Sequence, residues 1–208
     1  MIVADKKRDL ILEKALARFA HFGVQKTTMN EIADDLAMSK PSVYYYFPDK
    51  ISLVVAVIER IFGEYQEKLA VLFDRAATMQ EALFSMLELR SDFLQKYFML
   101  HLRDNHSEIS LSHADIKKAI TNIRHHEIQL IGAAFERAIK KDHLRVTDAE
   151  HTAELYLDMI AGISVCIMAK QEKQLLPDHT GFDEVLSKQK EITQLFLKGL
   201  SQDDRATD

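Results

Sequence analysis

Between Thr27 and Lys50 the run TTMNEIADDLAMSKPSVYYYFPDK spells two short helices joined by a tight turn, and this pair limits what the rest of the chain can be. Thr28 is placed to cap the first helix, and Glu31, three residues on, to reach back and close a capping box. Ile32, Ala33 and Leu36 follow at helical spacing, one apolar face over barely two turns. Ala37 and Met38 fall at the turn. Ser39 caps a second helix with Pro41 in its first turn, where a missing N–H is harmless. Val43 and Phe47, four apart, form its inner side. Lys40, Ser42, Tyr44, Tyr45 and Tyr46 lie on the other, and Pro48-Asp49 ends it. Helices this short do not hold together alone in water, so they require a scaffold.

That scaffold reads as helical throughout. Among 208 residues, 47% of them apolar, three Pro and six Gly are too few for an all-β fold with many turns. A first helix is expected from Asp5 to Phe22, with Ile11, Leu12, Ala15, Leu16, Phe19 and Phe22 on one stripe and Gly23 as a left-handed C-terminal cap. Asp49 caps a long helix from Lys50 to Ala76. Thr78 with Glu81 opens another, to Leu102, before a polar stretch from Arg103 to Ser110. Ser112 with Asp115 starts a helix to Lys141, and Thr147 with Glu150 one to Lys170. Pro177 marks a connection, and Phe182 to Leu200 forms the last helix. The fold class expected is all-α, about nine helices, with a helix-turn-helix domain over residues 1–50 and a larger helical domain over 51–208.

Cys166 is the single cysteine, which excludes an internal disulfide and suits a reducing, cytoplasmic setting. Charges from Asp5 to Asp9 interrupt the N-terminus, so no signal peptide is expected. The most apolar run, Leu155 to Ala169, is 15 residues long and contains Asp158, too short and too polar to span a membrane. The net charge of −5 is uneven: residues 1–50 carry eight Lys and Arg against seven acids, and the remainder 19 against 25. Only the N-terminal quarter is not electrostatically hostile to phosphate.

Three blocks in that quarter resemble the tetracycline-repressor (TetR) family of bacterial transcriptional regulators. They are Ile11-Leu12…Ala15…Phe19…Gly23, then Thr28-Met29…Glu31-Ile32-Ala33, then Ser39 to Phe47 closed by Lys50, spaced without insertions. The resemblance implies that Ser39 to Phe47 is a recognition helix in the major groove of double-stranded DNA. It also implies a homodimer on a palindromic operator, a small-molecule effector bound by the C-terminal half, and no cofactor. One departure stands out: the family usually has Gly where this chain has Ala37. A left-handed Ala there costs on the order of 1 kcal/mol relative to Gly.

The residue chemistry is compatible with that reading. Lys40, near the helix start, suits a base-edge contact, guanine being the commonest target. Pro41 and Tyr45 offer van der Waals contact to bases, and Ser42 a short hydroxyl. Thr28, Tyr44, Tyr46 and Lys50 suit phosphate clamps that set register rather than sequence. The alternative is that Tyr44 and Tyr46 are partly core with hydroxyls at the rim. Lys6, Lys7 and Arg8 read equally as phosphate contacts or as a solvated helix end.

In the C-terminal part, the helix containing Leu155 to Ala169 is apolar nearly all round. It serves either as the central helix of a monomer or as a dimer interface with the final helix, through Leu155, Met159, Gly162, Cys166, Ile192 and Phe196. The resemblance favours the dimer, since two reading heads must span major grooves about 34 Å apart. Cys166 itself is expected to be a small buried hydrophobe. The Met- and aromatic-rich helices offer a pocket lined by Phe84, Leu87, Arg90, Phe93, Tyr97, His125, Phe135, Met159 and Ile163, or simply ordinary core. His125-His126, His101 with His106, and His151 with Glu154 lack metal-ligand spacing, and no metal site is expected. No phosphate loop, nucleophile elbow or carboxylate pair appears, so no catalytic residues and no enzyme are expected. The function expected is a ligand-responsive DNA-binding transcriptional regulator, a repressor released by a small apolar or amphipathic effector. The alternative is a helical small-molecule or partner-binding protein without specific operator binding.

Overall fold

The structure, a computed structural model, describes residues 2–97, 113–142, 144–171 and 179–201. Eight helices are described: α1 (Ile2–Phe22), α2 (Met29–Asp35), α3 (Lys40–Tyr46), α4 (Lys50–Arg75), α5 (Met79–Lys96), α6 (Ala114–Lys141), α7 (Ala149–Gln171) and α8 (His179–Leu200). Among the described residues the one extended pairing is an isolated antiparallel bridge, Leu144 with Ser201. The expected polar stretch 103–110, the cap at Ser112, His101, His106, Pro177 and the tail after Ser201 lie outside the described residues.

The chain divides into two compact units, residues 1–64 with 96–124 and residues 65–95 with 125–208. The division passes through α4 between Glu64 and Tyr65 and through α6 between Arg124 and His125.

In the first unit α1 packs on α2 and α2 on α3. Ile11, Leu12, Ala15 and Phe19 are buried on α1, as their spacing implies, but Phe22 is 49% exposed. It lies one turn beyond the packed stripe, where Arg18 and His21 cover its ring instead. Gly23 has φ 80° and its N–H returns to the Phe19 carbonyl at 3.0 Å, the left-handed cap expected there. The fully buried Thr27 closes the same loop by donating its hydroxyl to the Gly23 carbonyl at 3.0 Å.

The second unit centres on Tyr65, Leu69, Met86, Leu87, Ile131, Phe135, Tyr156 and Ile160, all buried. Asp142, after α6, accepts from the Met79 N–H at 2.7 Å and so caps α5 from a distance. α7 and α8 pack together through buried polar groups. Thr193 donates to the Gln189 carbonyl at 2.6 Å, so its one proton is spent and Tyr156 must be the donor in their 2.8 Å bond. Gln189 donates to the Ile160 carbonyl at 2.8 Å and to Ser164 at 3.0 Å.

Three boundary expectations shift. Asp148, not Thr147, caps α7 by accepting from the His151 N–H at 3.0 Å. Aspartate is at least as good a cap as threonine, and it fits a helix beginning at Ala149. His113 stands before α6, its Nδ1 accepting from the Asp115 N–H at 3.3 Å. α1 begins before Asp5, at Ile2.

The α2–α3 turn carries the backbone strain anticipated from the missing glycine: Ala37 has φ 50°. Ala37→Gly should therefore raise stability by about 0.5–1 kcal/mol, the left-handed penalty less the extra unfolded-chain entropy. Urea unfolding measures it, and an unchanged or lowered midpoint would contradict the strain.

Candidate nucleic-acid interface

α2 and α3, seven residues each, are formed by the caps legible in their sequence. Thr28 Oγ1 accepts from the Glu31 N–H at 3.2 Å, while Glu31 Oε2 accepts from the Thr28 N–H at 2.7 Å and from its hydroxyl at 2.8 Å. Ser39 Oγ accepts from the Ser42 N–H at 3.3 Å, with Pro41 in the first turn of α3. Between them Leu36 ends α2, and the Met38 N–H returns to the Ala33 carbonyl at 2.9 Å. Burial then sorts the faces: Ile32, Ala33, Val43 and Phe47 point inward, at 3% exposure or less.

The opposite face of α3 is open. Lys40 and Pro41 are exposed, and Tyr44 and Tyr45 are 44% and 82% exposed. Ser42 and Tyr46 are half-buried, and Tyr46 meets Tyr45 edge to face at 5.2 Å. Tyr44 is thus a surface group, and Tyr46 keeps part of the rim character weighed against it. Thr28 is exposed, though its hydroxyl proton is held by Glu31. Lys50, half-buried at the start of α4, donates from Nζ to the Gln25 carbonyl at 3.3 Å. Burial lowers its pKa, against the pull of Glu31. Arg8 places its guanidinium 5.2 Å from the centre of the Phe47 ring, so one charge of the Lys6–Arg8 cluster lies beside the end of α3.

A brace not visible in the sequence holds this pair to α1. Arg18 grips Asp35 with two parallel bonds, Nε to Oδ2 at 2.8 Å and Nη2 to Oδ1 at 3.0 Å, and its Nη1 lies 3.3 Å from Glu31 Oε1. The Thr28 N–H and hydroxyl lower the Glu31 pKa, with Arg18 adding to it, and Arg18 lowers that of Asp35. The only advance signal was the coexistence of one arginine on α1 with two acids on α2; nothing in linear spacing pairs residues 18 and 35.

The expected pocket residues all fall outside this unit except Tyr97. Leu87 and Phe135 are fully buried, Phe84, Phe93, Met159 and Ile163 partly so, and His125 is exposed beside Gln129. Arg90 is paired: its Nη1 donates to Glu127 Oε1 at 2.7 Å, and the Tyr65 hydroxyl donates to the same oxygen at 2.9 Å. Burial, then Glu127, raise the Tyr65 pKa; Glu127 raises that of Arg90. None of the expected residues lines the shallow groove of about 390 Å³ formed by Glu67, Lys68, Val71, Leu72 and Leu89. On α7, Leu155, Gly162 and Cys166 are exposed. Cys166 is therefore not the buried hydrophobe expected, because it sits on the α7 face turned away from this unit's core. Met159 and Ile192 are half-buried, while Phe196 packs against Tyr156 and Phe135, ring centres 5.4 and 6.4 Å away. Among the described residues no three His, Cys, Asp or Glu side chains are grouped to hold a metal ion, and no helix is long and apolar enough to cross a membrane.

The pKa shifts give a test of the brace. Both carboxylates have lowered folded pKa values, so the stabilisation is complete above the usual carboxylate range, near about pH 4, and is lost as pH falls through the lowered values. Arg18→Met should unfold at lower urea than the parent at pH 7 and converge with it near about pH 2. A gap of the same size at both pH values would remove the ion pair as its cause.

Residues 11–57, which contain α2, α3, the turn between them and the Arg18–Asp35 brace, match the family model described as bacterial regulatory proteins, tetR family. The HTH-type transcriptional regulator RutR of Escherichia coli K12 is 33% identical over 92 residues, 43% of each chain, so the match spans less than half of RutR's length. The uncharacterized HTH-type transcriptional regulator YhgD of Bacillus subtilis is 26% identical over 164 residues, covering 75% of this chain and 83% of YhgD. The crystal structure of a transcriptional regulator from Cytophaga hutchinsonii superposes with a TM-score of 0.80 at 26% identity, covering 94% of this chain and 99% of that one. The segment with the capped, left-handed turn thus matches the tetR family of bacterial regulatory proteins, and the helices beyond it are similar to those of the solved regulator.

Proposed function

We propose that this chain is a cytoplasmic, ligand-responsive transcriptional repressor that binds a palindromic operator as a homodimer and is released by a small apolar or amphipathic effector. The observation that carries the DNA-binding half is α3. It is anchored by Val43 and Phe47 and leaves Lys40, Pro41, Tyr44 and Tyr45 exposed on its other side. A helix seated in the major groove needs that division. Lys40 reads a base edge, with Ser42, Pro41 and Tyr45 in contact range of bases, and Tyr44, Tyr46, Thr28 and Lys50 hold phosphates. Thr28 must then share its hydroxyl between Glu31 and the phosphate, and Lys50 orders the loop at Gln25 as well as supplying charge.

Residues 1–50 form the DNA-binding domain in this reading, and 51–208 bind the effector and the second copy. The dimer is supported by the apolar groups that α7 and α8 leave in water. Val165 and Leu195 are 55% and 64% exposed, with Leu155, Gly162 and Cys166 on the same helices. Ile192 and Met159 border that face, and Phe196 supports it from beneath. Two-fold pairing is the commonest closed arrangement. The effector acts by linkage: it need only bind tighter to the conformation with lower operator affinity.

Selection of bound sequences from a random duplex pool tests the first half. A palindromic motif is expected; a folded protein that enriches nothing leaves the alternative of a helical binding protein without operator. Against the selected site Lys40→Ala should cost about 1–3 kcal/mol and relax selectivity at one position. Lys50→Ala should weaken all sequences alike and lower the salt slope by about one. If the two variants behaved identically on selected and random DNA, these roles would be wrong. For the dimer, Leu195→Glu should sediment as a monomer where the parent is dimeric and lose affinity for the full palindrome; a monomeric parent removes the interface.

A further inference from the structure

Glu127 is a buried carboxylate on α6, its residue 6% exposed, within the core of the second unit. It occupies the apolar stripe that runs through Ile123, Ile131 and Phe135, where a hydrophobic residue would ordinarily sit. A buried acid is normally hydrogen-bonded, and an arginine partner frequently meets both its oxygens through the paired bonds of a fork. Here both described contacts fall on one oxygen, Oε1: the Tyr65 hydroxyl at 2.9 Å and Arg90 Nη1 at 2.7 Å. Oε2 has no hydrogen-bond partner among the described residues, and Arg90 meets the acid through a single terminal nitrogen. Its side chain also stays 29% exposed, against 7% for Glu127. Met86 and Leu87 lie one turn before Arg90 on α5 and Ile131 one turn after Glu127 on α6, all buried, and Phe93 is edge to face with Tyr65 at 5.5 Å. The result, among the described residues, is an apolar setting with one unused carboxylate acceptor beside a guanidinium whose hydrogen bonds go to Glu127 and Tyr65.

We propose that Glu127, Arg90 and Tyr65 form the recognition end of the effector site, and that it takes a neutral amphipathic molecule whose head carries a hydrogen-bond donor beside an acceptor, such as a primary carboxamide. The inference rests on the effector half of the proposed function and narrows it to a ligand class. The glutamate and the guanidinium cancel, so a charged head adds an uncompensated buried charge, whereas a neutral donor–acceptor head adds none. The head donates to Glu127 Oε2 and accepts from Arg90, using the capacity left on each. The apolar tail lies against the surrounding methionine, leucine and aromatic groups. Lys68, over the Phe93 ring, is exposed, and water screens its charge.

Changing the charge at either end should change the preference in opposite directions. Calorimetric titration of the full chain with octanamide, octanoate and octylammonium is the test. The parent should bind octanamide about tenfold tighter than either ion, as expected for hydrogen bonds involving charged partners. Glu127→Gln leaves the guanidinium unpaired and should favour octanoate; Arg90→Gln leaves the carboxylate unpaired and should favour octylammonium. Either switch, in a variant that keeps the parent's circular dichroism, supports the assignment. The same order in all three proteins, or no binding of any probe by the parent, overturns it. Binding to the selected duplex, measured on the same preparations without probe, reports separately on the regulator reading: a charge-dependent switch with no duplex binding would fault that reading and not the site.

Discussion

Burial of two very short helices is the constraint on which the first unit depends. α2 and α3 have seven residues each, below the length at which helices persist alone in water. Their persistence comes from Ile32, Ala33, Val43 and Phe47, which have almost no exposed surface. At roughly 1.5–3 kcal/mol for burying a large apolar side chain, even three such residues outweigh the gain from any single cap, about 1 kcal/mol. Caps and turn then decide orientation. The Arg18–Asp35 fork sets the angle between α1 and α2 with directional bonds, which apolar contact alone does not. Because the inner face is fully committed to packing, Lys40, Tyr44 and Tyr45 have nowhere to go but outward, so exposing this face and holding the fold together are one requirement.

The second unit follows a different rule. Its core admits polar groups, each held in a directional bond: Tyr156 to Thr193, Gln189 to the Ile160 carbonyl, Tyr65 and Arg90 to Glu127. Buried polar contacts add little net stability and penalise mispairing heavily. They therefore select one register of α7 against α8 and one arrangement of α4, α5 and α6 from several that apolar packing would accept. Arg145 donates to the Leu200 carbonyl at 2.6 Å, tying the end of α8 to the α6–α7 connection in the same manner.

Local signals survived into the structure where one side chain and its own backbone sufficed. The Thr28–Glu31 box, the Ser39 and Asp49 caps, the left-handed Gly23 and the strained Ala37 were all readable, because each interaction closes within four residues. Competition between neighbouring capping residues was not, and Asp148 displaced Thr147 by one position. Periodicity identified the buried side of α1 yet overran at Phe22, since a stripe does not say where the neighbouring helix ends. Cys166 was misread for a related reason: an apolar run does not say which side of the helix its own unit covers. Of the pocket residues named in advance, Arg90 has the most informative surroundings, and its partners Tyr65 and Glu127 were overlooked. Glu127 was detectable as a charge within an apolar stripe; Tyr65 looked like one more core aromatic.

From sequence alone came the all-α class, the helix-turn-helix segment, the family resemblance of that segment and the outward set on α3. All of these rest on contacts between residues near in the chain or on strict periodicity, which a linear string preserves. Tertiary structure decided the pairing of Arg18 with Asp35, the convergence of Tyr65, Arg90 and Glu127, and which side of α7 is left in water. Those depend on where distant helices are brought to lie, and that is set by summed burial over the whole core, a quantity no local spacing encodes.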